Sequence, residues 1–259
     1  MCRVYAMSSP KSCSLPWISI VTVVRNGVDL LEETIRNVLD QPYENLDFLV
    51  LDGCSTDGSV DIIQKYADRI TWWESTPDNG IYDAMNKGWH KARDNSYILF
   101  LGAGDKIISL PHDMYRYSPD EVIFGAVCIG DGKEFIPRTG LWLRIYNSLH
   151  HQALLVNKRL HSAPPFDTRY SHYADFDFNQ RLLKKGCRFI FDKDFRSFAC
   201  PGGVTQELHL DESLAIIQKN FGTFWKSTAE CAYLGIRALP LLGRLRPFRK
   251  IGVINHGVD

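Results

Sequence analysis

No stretch of the 259 residues supplies the roughly 20 consecutive apolar positions that a membrane-spanning helix needs, so insertion across a bilayer is not expected. The first sixteen residues carry Arg3 and Lys11 but no apolar run, so they read as a loose leader rather than a secretory signal. Net charge is missing as well. Thirty Lys and Arg cancel thirty Asp and Glu, which leaves no global preference for nucleic acid or for an acidic polymer, so any electrostatic preference is local. The seven cysteines (Cys2, Cys13, Cys54, Cys128, Cys187, Cys200, Cys231) form no C-x-x-C pair and no Cys/His cluster. That spacing argues against a structural zinc site and fits reduced thiols in a cytoplasmic protein. Internal repeats and low-complexity segments are also lacking.

What is present is alternation. Ile18–Val24 is a β-branched, almost continuous apolar run of the kind buried on both faces of a parallel sheet. Asn26-Gly27 then turns the chain, and Leu31, Ile35 and Val38 recur at helical spacing, with Asp29 and Glu32 set like a capping pair. Further strands are expected at 47–51, 70–73 and 97–101, with helices through Ile62, Ile63 and Tyr66 and from Ile81 to Ala92. In the second half the pattern predicts strands at 121–127 and 188–191 and helices at 173–185 and 206–221. Short connections between alternating strands and helices imply an α/β fold: a mainly parallel, Rossmann-like sheet flanked by helices. The expected divisions are a leader over 1–16, one catalytic domain over 17–222 and a basic amphipathic extension over 223–259. Ligands on such sheets sit beyond the carboxyl ends of the strands, so polar residues there are the first candidates for function.

Three acidic positions fall at such places. Asp52 closes the second strand in LDGCSTDGS, Asp105 closes the fourth in FLGAGD, and Asp175 and Asp177 open the helix ADFDFNQRLLKKG. Each alone is also an ordinary turn former or helix cap. Taken in order, with ISIVTVVRNGVDLLEETIRNVLDQ, PDNGIYDAMNKGWHKA and YILFLGAGD, these blocks resemble the family-2 glycosyltransferases of the GT-A fold over residues 17–205. Enzymes that build bacterial exopolysaccharide, colanic-acid-type polymer or lipopolysaccharide are the most similar.

The resemblance implies an inverting transfer of a sugar from a nucleoside-diphosphate sugar, UDP first, to a saccharide or lipid-linked acceptor. Asp52 then matches the acid that accepts a hydrogen bond from the nucleobase, a role suited to a pure acceptor. Val23 flanks the base or ribose, while Asp78, Asn79 and Gly80 border the diphosphate, followed by Asp83, Asn86 and Lys87 on the next helix. Asp105 matches the acid that holds Mg²⁺ or Mn²⁺, and hard cations of this kind are held by one or two carboxylates plus substrate phosphates. Ala103 and Gly104 replace the preceding acids of that element, and Gly104 is expected to let the backbone approach the donor closely. Asp175 matches the catalytic base, with Asp177 either a helix-start structural acid or part of the acceptor side. His151 and Gln152 lie in the acceptor-side segment, beside His150. Pro201-Gly202-Gly203 matches a turn after the last core strand, and His209 is a second-line candidate for approaching the metal.

From Cys231 to Gly257 there is no acidic residue, while Arg237, Arg244, Arg246, Arg249 and Lys250 interleave with leucines, Tyr233 and Phe248. Such a segment can rest on an anionic membrane surface, here the inner face of the cytoplasmic membrane, or pack on the domain with its arginines in water. Two other functions compete with glycosyl transfer. A nucleotidyltransferase would be expected to carry a glycine-rich basic loop after the first strand, where this chain has Val24-Arg25-Asn26-Gly27. A sugar-nucleotide-binding protein without catalysis would need no base at Asp175.

Overall fold

The computed structural model describes residues 15–130, 132–161, 163–201 and 209–238. Most of the expected leader, the Gly202-Gly203 turn and the arginine-rich stretch beyond 238 lie outside the described residues. The first half is β1 (Ile18–Val24), α1 (Val28–Leu39), β2 (Leu46–Asp52), α2 (Ser59–Lys65), β3 (Trp72–Ser75), α3 (Ile81–Lys91) and β4 (Tyr97–Gly102). All seven residues of β1 are buried, because parallel neighbours flank it and helices cover both its faces. The four strands run parallel in the order β3-β2-β1-β4. The third strand lies two residues later than expected, because Ile70 closes the turn after α2 through its amide to Tyr66.

Asp29 and Glu32 do not cap α1, contrary to the capping-pair expectation. The N-cap is Gly27, and the caps come from the loop after β2. Asp57 Oδ2 accepts the Val28 amide at 2.9 Å and Ser59 Oγ accepts the Gly27 amide at 3.0 Å. Glu32 instead gathers Arg36, Lys65 and Tyr66 on the surface. A helix end is thus satisfied by the neighbouring βα loop, which places the loops of β1 and β2 side by side.

The second half comprises β5 (Lys106–Ser109), β6 (Glu121–Ile129), β7 (Lys133–Phe135), α4 (Leu141–Ile145), β8 (Leu154–Asn157), α5 (Ala174–Lys184), β9 (Arg188–Ala199), α6 (Leu210–Phe221) and α7 (Thr223–Ala238). It continues the sheet as β4-β8-β6-β9-β5, with β7 paired to β6. Here the sheet becomes mixed: β8 is antiparallel to both neighbours, β5 is antiparallel to β9, and only β6 and β9 run parallel. The short strands β5, β7 and β8 escaped the pattern reading because three or four residues carry no resolvable period. Between β6 and β9 the register slips at Phe124/Ala126, and a Cβ on Gly125 would stand 2.0 Å from the Phe195 carbonyl oxygen. Only glycine allows that approach.

Apolar side chains form one layer on each side of the sheet. Leu31, Ile35, Val38 and Ile63 lie under α1 and α2, while Met85, Trp89, Phe176, Leu182, Ile216 and Ile217 lie under α3, α5 and α6. At Gly88 a Cβ would be 2.3 Å from Val21 Cγ1, so α3 sits unusually close to the sheet. Gly222, at φ +87°, ends α6, and α7 then turns back onto the domain. Its Ala229 is fully buried, and Trp225 and Tyr233 pack against the core. Among the described residues no helix is long and apolar enough to cross a membrane.

Candidate active site

Asp52 ends β2 with 2% exposure. Its Oδ2 accepts from the Ser55 amide at 2.9 Å and from Ser75 Oγ at 2.6 Å, whereas Oδ1 is buried and has no partner. An unpaired carboxylate oxygen in that setting costs free energy until a donor reaches it. Gly53 follows, and a Cβ there would be 2.3 Å from Asp78 Oδ2, so the missing side chain lets the Pro77-Asp78-Asn79-Gly80 turn close over the end of β2. That turn is tied to α3: Asp78 accepts the Gly80 amide, Asp83 accepts the Asn79 amide, and Lys87 Nζ donates to the Pro77 carbonyl. Asp83 and Lys87 therefore brace the turn that carries Asp78 and Asn79. Val23 is 5% exposed and lies in register between Leu51 and Gly102, with its side chain in the core.

Two expected donor-side residues have other work. Asn86 is buried, and its amide both donates to the Phe166 carbonyl at 2.8 Å and accepts the Phe166 amide at 2.9 Å. Both ends of its side chain are bonded to Phe166, so it anchors the loop carrying that residue to α3. Gly104 has φ +94°, its amide is bonded to Thr34 Oγ1 at 2.8 Å, and a Cβ there would stand 2.7 Å from Cys200 Sγ. The space left by the missing side chain is filled by Cys200 rather than reserved for a ligand.

Asp105 is 4% exposed. Its Oδ2 accepts the Gly102 amide at 2.7 Å and Gln152 Nε2 at 3.2 Å, and its Oδ1 accepts the Cys200 amide at 2.9 Å. One lone pair of Oδ1 is left over. Among the described residues no group of three or more His, Cys, Asp or Glu side chains could enclose a metal. A hard oxygen donor with one open position fits a cation that takes its remaining ligands from substrate phosphates and water. His209 stacks on His172 with ring centroids 3.4 Å apart.

Asp175, 8% exposed in the first turn of α5, faces a different set of groups. Its Oδ1 accepts the Phe176 amide at 2.8 Å and lies 3.3 Å from the Tyr82 hydroxyl. Asn147 Nδ2 is 3.4 Å from both oxygens, and His151 Nδ1 is 3.7 Å from Oδ2. Burial holds the Tyr82 phenol well above its usual range and lowers the His150 imidazole to about 4, so both are neutral near pH 7. Beneath Asp175, Tyr82, Trp89, Phe100, Phe166 and Phe178 join α3, β4, the loop carrying Phe166 and α5 through ring contacts of 5.2–6.4 Å. The strand of chain that delivers Asp175 is clamped by Glu212 of α6, whose carboxylate accepts the amides of Ser171, His172 and Tyr173 at 3.2, 2.9 and 2.7 Å.

Asp177 is withdrawn from the acceptor side. It is fully buried and pairs with Arg181 at 2.8 Å, Lys219 at 3.0 Å and Asn220 at 3.0 Å, which ties α5 to α6. Two residues of a helix lie about 200° apart, so Asp175 and Asp177 point to opposite sides. Tyr82, Asn147 and Glu212 were missed by sequence reasoning. Tyr82 lay hidden in the apolar period of α3, Asn147 sits in an irregular segment, and Glu212 reaches its partners across about forty residues.

Strand-end carboxylates on a sheet with this order and helix covering define the GT-A type of α/β fold. Solved structures that share it include TarS of Staphylococcus aureus bound to UDP, with a TM-score of 0.61, 15% identity and coverage of 79% of this chain and 65% of that one. A second is a mannosyltransferase of Pyrobaculum calidifontis bound to GDP-Man and Mn²⁺, with a TM-score of 0.59, 14% identity and coverage of 93% and 84%. The family model "Glycosyl transferase family 2" matches residues 19–107. A putative teichuronic acid biosynthesis glycosyltransferase of Bacillus subtilis is 35% identical over 94 residues, covering 35% of this chain and only 37% of that protein. A PGL/p-HBAD biosynthesis glycosyltransferase of Mycobacterium tuberculosis is 26% identical over 246 residues, covering 89% and 86%. Over residues 19–107 the chain is similar to glycosyltransferase family 2, and the curated relatives that match it are glycosyltransferases.

Proposed function

We propose that this protein transfers a sugar, with inversion, from a nucleoside-diphosphate sugar to a saccharide or lipid-linked acceptor in cell-surface glycan biosynthesis. The observation that carries the reading is the buried, unpartnered Oδ1 of Asp52 at the carboxyl end of β2. It is an acceptor in want of an N–H, and the imide of uracil supplies one. Asp78 and Asn79 would border the diphosphate from the braced turn. A divalent cation, Mg²⁺ or Mn²⁺, held by Asp105 would lend positive charge to the departing diphosphate. Asp175 accepts the proton of the attacking acceptor hydroxyl, while His151 and Asn147 hold its carboxylate in place. A single displacement from the opposite face inverts the anomeric carbon. Gln152, bonded to Asp105, and His151, beside Asp175, are neighbours in the chain, so the acceptor segment links the two acids.

The transferred group in this reading is a hexosyl or N-acetylhexosaminyl unit. The surface of α7 exposes Phe224 and Leu234 and runs toward the basic stretch, which supports docking on an anionic membrane. Removing residues 239–259 should abolish co-sedimentation with anionic liposomes, and retained binding would refute the docking.

The decisive assay screens nucleoside-diphosphate sugars, with Mg²⁺ or Mn²⁺, for release of nucleoside diphosphate by wild type, Asp175→Asn, Asp105→Ala and Asp52→Asn. Release by wild type and its loss in Asp175→Asn is the expected result. Pyrophosphate release would establish a nucleotidyltransferase instead, and tight donor binding without turnover across acceptors would establish a binding protein.

A further inference from the structure

We infer that Tyr82 is a positioning residue for Asp175, with a hydroxyl hydrogen that changes partner as the carboxylate gains or loses its proton. The inference rests on Asp175 as the base. A phenol has one hydrogen, yet the Tyr82 hydroxyl faces two acceptors: the His172 carbonyl at 2.8 Å and Asp175 Oδ1 at 3.3 Å. Both acceptors are held in place. The amide of His172 is bonded to Glu212 at 2.9 Å, and Oδ1 of Asp175 is pinned by the Phe176 amide at 2.8 Å. Tyr82 itself is 8% exposed and wedged against Phe166, with ring centroids 5.3 Å apart. Only the hydroxyl hydrogen is free to choose.

With Asp175 ionised, a charge-assisted bond draws the hydrogen to the carboxylate. Once Asp175 has taken the proton of an acceptor hydroxyl, its own O–H can donate to the Tyr82 oxygen, and the phenolic hydrogen returns to the His172 carbonyl. No proton leaves Tyr82, and burial keeps the phenol protonated throughout. Tyr82 belongs to α3, the helix that opens at the Asp78-Asn79-Gly80 turn, so the same rigid element serves both the donor side and the base.

The other polar groups around this pair are few. Asn147 and His151 approach the Asp175 carboxylate, with His150 behind them. Tyr173 precedes it in the chain, and Glu212 is the other acid that acts on Tyr82. His151 Nδ1, 3.7 Å from Asp175 Oδ2, is the imidazole facing the carboxylate, so it is followed alongside.

The test is a carboxyl-carbon NMR titration of the full chain labelled at aspartate, with the Asp175 signal identified by its loss in Asp175→Asn. Wild type is compared with Tyr82→Phe and with 3-fluorotyrosine at position 82, and His151 is followed by its ring protons. Removing the hydroxyl should raise the Asp175 midpoint by about one pH unit, a tenfold change in proton affinity. Fluorination, which strengthens the donor without changing its shape, should lower the midpoint. The acid limb of kcat/KM should move with each midpoint while KM for the donor stays the same. An unchanged midpoint in both variants, or a rise in both, overturns the inference. Because fluorination preserves packing, the result stands even if Tyr82→Phe unfolds. If the midpoints move as expected but no variant or wild type transfers sugar, the coupling stands and the proposed function fails.

Discussion

The two halves of the proposed site are built by different means. On the proposed donor side, the acids that end or follow β2 and β3 are held by amides and hydroxyls close to them in the chain or on the adjoining strand. Asp52 is held by Ser55 and Ser75, Asp78 by Gly80, and Asp83 by Asn79. On the base side, Asp175 depends on Tyr82 and Asn147, and its approach segment depends on Glu212 some forty residues away. Local turns on a parallel sheet can be built from short motifs. A carboxylate such as Asp175 has to be brought in from the second half of the molecule, where the sheet is mixed, and it is as accurate as the long-range contacts that hold it.

The comparison can be broken or sharpened by substitution. The largest effect is expected from Asp175→Asn, which should lower kcat by about 10³-fold with donor affinity unchanged, read by nucleoside-diphosphate release and calorimetry. An equal loss of donor binding would show that the two sides are not separable. Next is Glu212→Ala, which leaves the amides of Ser171, His172 and Tyr173 without their charged acceptor. It should cost about 3 kcal/mol in urea unfolding and depress kcat more than donor KM. A variant that lost stability without that kinetic bias would show that the clamp merely holds the fold.

His150 should make the base side acid-sensitive. Its folded-state value, about 4, lies below the ordinary 6.5, so the unfolded chain takes up the proton first as pH falls. Stability present above pH 6.5 is then lost toward pH 4, by about 2 kcal/mol between pH 7 and 5. His150→Phe should flatten that slope in urea titrations at the two pH values, and an unaltered slope would assign the acid sensitivity elsewhere. The smallest effect is expected from Thr34→Val, which strips the Gly104 amide of its acceptor and Asp105 of a backbone tie. A loss of about 1 kcal/mol is expected, with a raised Mg²⁺ or Mn²⁺ requirement and no change in the acid limb of the pH profile.

How much could be read in advance follows the same division. The longer strands and helices through β4 were legible because each shows its period, whereas four-residue β3 lies two residues from its expected place. Asp52, Asp78 and Asp105 stood out as candidates because strand ends are where such a sheet binds ligands. Asn86 and Gly104 sat in the same motifs and looked equally functional. Their hydrogen bonds to Phe166 and Thr34, residues eighty and seventy positions away, gave them structural tasks. The error at Asp29 and Glu32 has the same source, since Asp57 and Ser59 across the loop provide the caps.

Sequence by itself determined the class of fold, the placing of acids at the ends of strands and the separation of Asp175 from Asp177 by helical geometry. Periodicity and short-range turns are encoded within a few residues, so they survive without knowledge of the whole. Tertiary structure alone decided that the sheet becomes mixed after β4, that Asp177 is locked among Arg181, Lys219 and Asn220, and that Tyr82 and Glu212 stand behind Asp175. Those outcomes depend on which distant side chains satisfy a buried polar group, and that pairing exists only once the chain has closed on itself.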